Sequence, residues 1–154
     1  MSKATDLRFR ESIKEIFNPV FMDYGFELQG RSTWDGQGEY FVTATHGDIA
    51  LNFYLSIIPQ SPICYCTLAI KLSGSLAKIA TSNQDQRPTS LDVMVLAEIL
   101  DPNYKRPPGE IQTTQDLREM LEQEKACLLK YCQGVLSGDV SIWSKVIQGL
   151  DEKG

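Results

Sequence analysis

The sequence predicts an α+β domain: an N-terminal helix, a four-stranded antiparallel β-meander, then three C-terminal helices packed on one face of the sheet. Three observations lead there. Residues 49–70 carry no charged side chain, and two runs of strand-like residues flank Pro59-Gln60-Ser61-Pro62 within them. Segments with strand character come first and segments with helical period follow, which separates α+β from an alternating α/β chain. The chain has 154 residues, 42% hydrophobic and 23% charged, enough for one packed domain spanning 1–154.

Residues 5–24 read as the first helix, with Phe9, Ile13, Ile16, Phe17, Val20 and Tyr24 on one stripe. Asp6 suits the first turn and Gly25 a left-handed cap, while Pro19 removes a backbone donor and predicts a kink or restart near Asn18. Phe26 to Trp34 is the first strand, Asp35-Gly-Gln-Gly38 a tight turn, and Tyr40 to Thr45 the second strand. After His46-Gly47-Asp48 comes the central hairpin. Positions 49, 51, 53, 55 and 57 are all apolar, whereas the positions between include Asn52, Tyr54 and Ser56; this is the period of a strand with one buried face. An edge strand is usually protected by charge, and these runs have none, so they belong at the centre of the sheet. The turn at 59–62 sets Ile57 opposite Cys64, Leu55 opposite Cys66 and Ile49 opposite Leu72.

In the second half, Ser75 to Ala80 suits one or two helical turns and Ser82 to Pro88 a loop. Thr89 is placed to cap a largely apolar helix to about Leu100, and 101–112 is a loop. Thr113 caps a long helix to about Leu136, with Leu117, Met120, Leu121, Leu128, Tyr131, Cys132 and Val135 buried. Gly138 stops it, and Asp139 caps a last helix with Ile142, Trp143, Val146, Ile147 and Leu150 inward.

Several function classes are excluded or disfavoured. The formal charge of −5 with no basic cluster argues against nucleic acid. No stretch suits a membrane span, since residues 49–70 contain Asn52, Ser56, Gln60, Ser61 and two prolines. The start lacks the apolar core of a signal peptide, so a cytoplasmic location is expected, with the four cysteines as buried thiols. His46 is the single histidine, and the register puts Cys64 about 26 Å from its end of the hairpin, too far for a Cys–His dyad. Cys64 and Cys66 face the core, and Cys127 and Cys132 lie about 140° apart around a helix, so no zinc set forms. The Gly36-Gln-Gly38 pair joins strand to strand and cannot open a dinucleotide-binding helix. Glu119, Glu122 and Glu124, among Arg118, Lys125 and Lys130, read as a solvated helix face. No catalytic residue, metal or cofactor is expected.

Two features stand above background. If the helices cover Leu51, Phe53, Leu55, Leu68 and Ile70, the opposite face shows Gln29, Arg31, Phe41, Thr43, Thr45, Asn52, Tyr54, Ser56, Tyr65 and Thr67. Of these, Phe41, Thr43, Asn52, Tyr54, Tyr65 and Thr67 are the candidate binding residues; the plainer reading is a solvated face whose Thr and Tyr merely suit strands. The second feature is Tyr104, Lys105, Arg106 and the two prolines of loop 101–112, placed either to contact a partner or simply to connect helices.

The opening helix Ile13 to Phe17 with Pro19, the Tyr24-Gly25-Phe26 entry into the sheet, and the Leu51–Leu72 hairpin resemble small uncharacterised bacterial α+β domains, some of which are immunity-protein-like and neutralise toxins by binding. The resemblance implies a binding module acting on a protein partner or on a second copy as a homodimer. The alternative is a small-ligand-binding protein or enzyme with a pocket between sheet and helices, near Trp34, Tyr40 or Trp143.

Overall fold

The computed structural model describes residues 8–29, 33–34, 39–57, 63–84 and 86–153. Residues 5–7 of the expected first helix, Arg31, the turns at 35–38 and 59–62, and the side chain of Trp34 lie outside the described residues.

Helix α1 (Phe9–Tyr24) buries Phe9, Ile13, Ile16, Phe17 and Val20, as its stripe predicts. The restart expected at Asn18 does not occur, for the helix runs through Pro19 as one element. Pro19 lies on the exposed side, where water can replace the lost hydrogen bond. Gly25 closes the helix at φ 78° and donates its N–H to the Phe21 carbonyl.

The sheet is antiparallel and five strands wide. Strand β3 (Glu39–His46) pairs on one side with two short segments, β1 (Glu27–Leu28) and β2 (Thr33–Trp34), and on the other with β4 (Ile49–Ile57). Strand β5 (Cys64–Leu72) follows, and β6 (Ser90–Asp92) pairs with its far end. The register between β4 and β5 is the expected one, with Ile57 opposite Cys64, Leu55 opposite Cys66 and Ile49 opposite Leu72. Leu51, Phe53, Leu55, Leu68 and Ile70 are buried to 1% exposure or less, and Phe17 meets Phe53 edge-on at 4.8 Å.

Two expectations about the strands are corrected. The strand expected from Phe26 to Trp34 is two segments rather than one run. The fifth strand, β6, takes residues expected to begin a helix. The Leu72 N–H donates to the Thr89 carbonyl at 2.7 Å, and Leu91 turns into the core opposite Ile70. Three residues are too few for their alternation to stand out from the apolar run that follows.

The helices α2 (Gly74–Thr81), α3 (Val93–Leu100), α4 (Thr114–Tyr131), α5 (Gln133–Leu136) and α6 (Ser141–Lys153) complete the described chain. Asp92, not Thr89, caps α3: its Oδ1 accepts from the N–H groups of Met94 and Val95 at 2.7 and 3.2 Å. Thr113 caps α4 reciprocally with Asp116, as expected of a capping box. The long helix expected to reach Leu136 breaks at Cys132, whose φ and ψ of −119° and 11° leave the helical region. The chain then tightens around the Gly134 carbonyl, which accepts from both Ser137 and Asp139. Gly138, at φ 94°, ends this turn, and Asp139 Oδ1 accepts from the Ser141 N–H at 3.0 Å. All four cysteines are buried thiols, and none forms a disulfide. Among the described residues, no helix is long and apolar enough to cross a membrane.

Candidate functional site

The candidate face is built by strand alternation. Residues paired across an antiparallel ladder point to the same side, so Phe41, Tyr54 and Thr67 form one row across β3, β4 and β5. Thr43, Asn52 and Ala69 form the next row, and Ser56 with Tyr65 a third. Tyr54 and Tyr65 are therefore diagonal neighbours. Phe41 meets Tyr54 edge-on, with ring centroids 5.0 Å apart and planes at 84°. Phe41, Thr43, Asn52, Tyr54 and Thr67 are half-buried, and Tyr65 is exposed at 38%. Gln29 also reaches this face, donating from Nε2 to Thr45 Oγ1 at 2.7 Å.

A second region was not foreseen. Along the outer edge of β5, β6 covers Ala69, Ile70 and Lys71, and Ile111 returns to pair with Cys64 in both directions, at 2.8 and 2.9 Å. Tyr65 to Leu68 have no strand neighbour on that edge among the described residues. Ladder hydrogen bonds alternate along a strand, so the backbone groups of Cys66 point the same way as those of Cys64, toward this window.

Behind the window is a cavity of about 110 Å³, bordered by Tyr65, Cys66, Asp92, Arg106, Met120 and Glu124, with Pro107 and Gly109 along the loop side. Glu124, on α4, is 1% exposed, and neither of its oxygens has a hydrogen-bond partner among the described residues. The solvated face expected for Glu119, Glu122 and Glu124 is thus corrected for Glu124. Glu122 pairs with Lys125 at 3.3 Å and Glu119 accepts from Gln115, but Glu124 falls one turn after Leu121 and one before Leu128, within the buried stripe. Burial, then the nearby Asp92 charge, pushes the Glu124 carboxyl well above the usual range, although the Cys66 thiol and Arg106 pull it down. Burial and the Glu124 carboxyl push the Cys66 thiol up in turn, so it is a poor nucleophile.

The loop 101–112 closes the window from outside and is tied to the helices. The Tyr131 hydroxyl donates to Asp101 at 2.6 Å, the Cys127 thiol donates to the Tyr104 hydroxyl at 3.2 Å, and Arg106 pairs with Glu98. Tyr104, which the sequence places either to contact a partner or to connect helices, packs half-buried against the core and anchors the loop. Its hydroxyl is pushed up by burial and by the Cys127 bond.

Of the residues around which a pocket is expected, Trp34 has its side chain outside the described residues, and the other two are packed. Trp143 is fully buried and donates Nε1–H to the Pro88 carbonyl at 3.0 Å, and Tyr40 packs against the core. A wider groove of about 420 Å³ runs past Asp23, His46 and Asp48. His46 Nδ1 is 3.0 Å from the Gly25 carbonyl, which can only accept, so this nitrogen carries the hydrogen. Asp48 is tucked under the start of α2, where a Cβ on Gly74 would come within 2.7 Å of its Oδ1. His46 pairs with Ile49 at the end of the hairpin remote from Cys64 and Cys66, so no dyad forms.

Among the described residues, no three His, Cys, Asp or Glu side chains converge as a metal set. Comparisons with protein-family models, with curated proteins and with solved structures give no match. The class that the fold defines is architectural: mixed helix and sheet, with an N-terminal helix, an antiparallel sheet and several further helices.

Proposed function

We propose that this chain is a cytoplasmic interaction module whose open sheet face binds a protein partner. One observation carries the reading: the row Phe41–Tyr54–Thr67 and its neighbours Thr43, Asn52 and Tyr65 form an uncharged patch, with aromatic rings at its centre, on a sheet whose other face is fully packed. Aromatic side chains with polar tips are favoured at protein interfaces because they bury large areas and still satisfy their hydroxyls. The resemblance to small bacterial α+β domains, some of them immunity-protein-like, supports a protein as the occupant, and a second copy of the chain would use the same surface.

The test is a capture experiment in native host extract, with light scattering of the purified chain alongside. The double variant Tyr54→Ala/Tyr65→Ala should lose the captured partner, or the dimer if the mass shows one, while the monomer stays folded with a melting temperature lowered by only a few degrees. A truncated hot-spot tyrosine costs about 2 kcal/mol of binding or more. Capture and mass identical to wild type would dismiss the face as a binding surface. The second reading, a small-ligand protein, is favoured only by the Glu124 cavity.

A further inference from the structure

We propose that the cavity behind Tyr65–Leu68 is a binding site for a primary ammonium group, seated against Glu124 and Asp92. This site is separate from the open sheet face and stands or falls independently of it. The primary observation is Glu124 itself. A carboxyl 1% exposed, with no well-formed hydrogen bond to either oxygen among the described residues and only the Cys66 thiol beside it as a weak donor, is costly to bury, and it borders a cavity of about 110 Å³ instead of packed side chains. Such a group is explained if something else supplies its donors.

The chemistry of the surroundings selects a cation with several N–H donors. Asp92 brings a second carboxylate, of which Oδ1 already serves the α3 cap. The Cys66 backbone edge offers acceptor capacity at the same window. An ammonium has three donors and no acceptor, which matches two carboxylates and a carbonyl. A metal ion would need a converging ligand set that the described residues do not provide. Arg106, the cation in the lining, is held by Glu98, which limits its repulsion of a second positive charge. Outside the window, Asp116 and Glu119 line an adjoining groove with Pro107 and Pro108, so the approach is acidic as well. Met120 and Met94 form part of the intervening wall, and their unbranched chains can shift rotamer to admit an alkyl stem.

Binding should be linked to a proton. The groups facing Glu124 are Cys66 from β5, Asp92 from β6, Arg106 from the loop and Cys127 from its own helix. In the free protein, burial and the Asp92 charge raise the Glu124 carboxyl and so favour its protonated form. A bound ammonium favours the carboxylate, so association releases a proton and tightens as pH rises.

The probe is n-butylammonium chloride, titrated calorimetrically into the full chain in two buffers of different ionisation enthalpy, neither a primary amine. Saturable one-to-one binding accompanied by net proton release is expected. Tetramethylammonium, which has no N–H, should not bind. Glu124→Gln should weaken binding about tenfold or more. Asp92→Asn, which keeps the helix cap because Asn caps as well as Asp, should weaken it less and provides a folded control should the Gln variant fail to fold. Tighter binding of N-acetyl-lysine-methylamide than of butylammonium would point to a lysine side chain as the natural source, and equal binding to a free amine. No saturable heat, equal binding of tetramethylammonium, binding without proton release, or undiminished affinity in both variants would each overturn the proposal and leave Glu124 as a hydrated buried acid.

Discussion

Strand β5 has two sides that are built on opposite terms. Toward β4 it is paired along its whole length, and its inward side chains Leu68 and Ile70 are buried to 1% or less among other apolar groups. Along its outer edge, β6 covers one end, Ile111 touches the other, and behind the gap stands a buried carboxyl with no well-formed hydrogen bond among the described residues. The first arrangement removes apolar surface from water and leaves no polar group unsatisfied. The second keeps a polar group dry, which costs stability unless a ligand or water meets it. The same strand therefore serves as the centre of the core and as the rim of a cavity.

That difference is sharpest in paired substitutions. Leu68→Ala should destabilise the fold by about 2–5 kcal/mol, the range for truncating a fully buried leucine, as read by urea unfolding. Glu124→Leu should act in the opposite direction and stabilise by about 1–3 kcal/mol, because it removes an unsatisfied buried carboxyl from a similar volume. A Glu124→Leu protein less stable than wild type would show that the carboxyl is already well hydrogen-bonded in solution.

The next largest effect is a pH slope. Burial raises the Glu124 carboxyl in the folded chain above its unfolded value of about 4.3. Its contribution is fully present below the unfolded value and is lost as pH rises toward the folded value. The unfolded state then binds fewer protons, and stability falls by at most about 1.4 kcal/mol per pH unit. Glu124→Gln removes this proton exchange, so the gap between variant and wild type should widen from pH 5 upward. Equal slopes in the two proteins would mean that Glu124 titrates normally. Asp101, Asp116 and Asp139, whose carboxyls are lowered by hydrogen bonds, act with the opposite sign and only at acid pH.

The contrast also explains which parts were legible in the sequence. The hairpin's faces follow from an alternation of apolar residues at 49, 51, 53, 55 and 57, and the Pro-x-x-Pro turn fixes its register, so position 55 opposite 66 could be read directly. The edge of β5 depends on residues 91 and 111, twenty or more positions away, which local pattern does not reach. Glu124 is an intermediate case. Its spacing from Leu117, Leu121 and Leu128 placed it on the buried stripe, but its charge and its lysine neighbours suggested solvent. A charged residue in phase with an apolar stripe is the signal that would have found the cavity. Among the candidate binding residues, the register fixes where Phe41, Thr43, Asn52, Tyr54, Tyr65 and Thr67 point; what they meet is not encoded in period or spacing.

The thiols give a smaller, kinetic test of the same division. Cys64, Cys127 and Cys132 are 4% exposed or less and Cys66 9%, and burial pushes the Cys132 thiol up to about 12. Native labelling by a thiol reagent should be slow at all four and should rise sharply on unfolding. Fast labelling confined to Cys66 would show that the window opens to small molecules more readily than the rest of the core.

The smallest effect is expected on the open face, where Tyr54 and Tyr65 can be separated. Tyr54 is half-buried and meets Phe41 edge-on, a contact worth about 0.5–1.5 kcal/mol beyond area burial. Tyr65 is exposed, with Gly109 alongside its ring. Tyr54→Ala should therefore cost about 1 kcal/mol, and Tyr65→Ala should stay within about 0.5 kcal/mol, the usual range for a surface change. Both values lie below that of Leu68→Ala, three strand residues from Tyr65 and on the covered side. Equal losses at Tyr65 and Leu68 would mean that both faces of β5 are core, and the face would then be unavailable to any partner. A small loss at Tyr65 with unchanged stability of the Phe41–Tyr54 pair in a double-mutant cycle leaves that face open while its rings stay fixed, the preorganised state that binding favours.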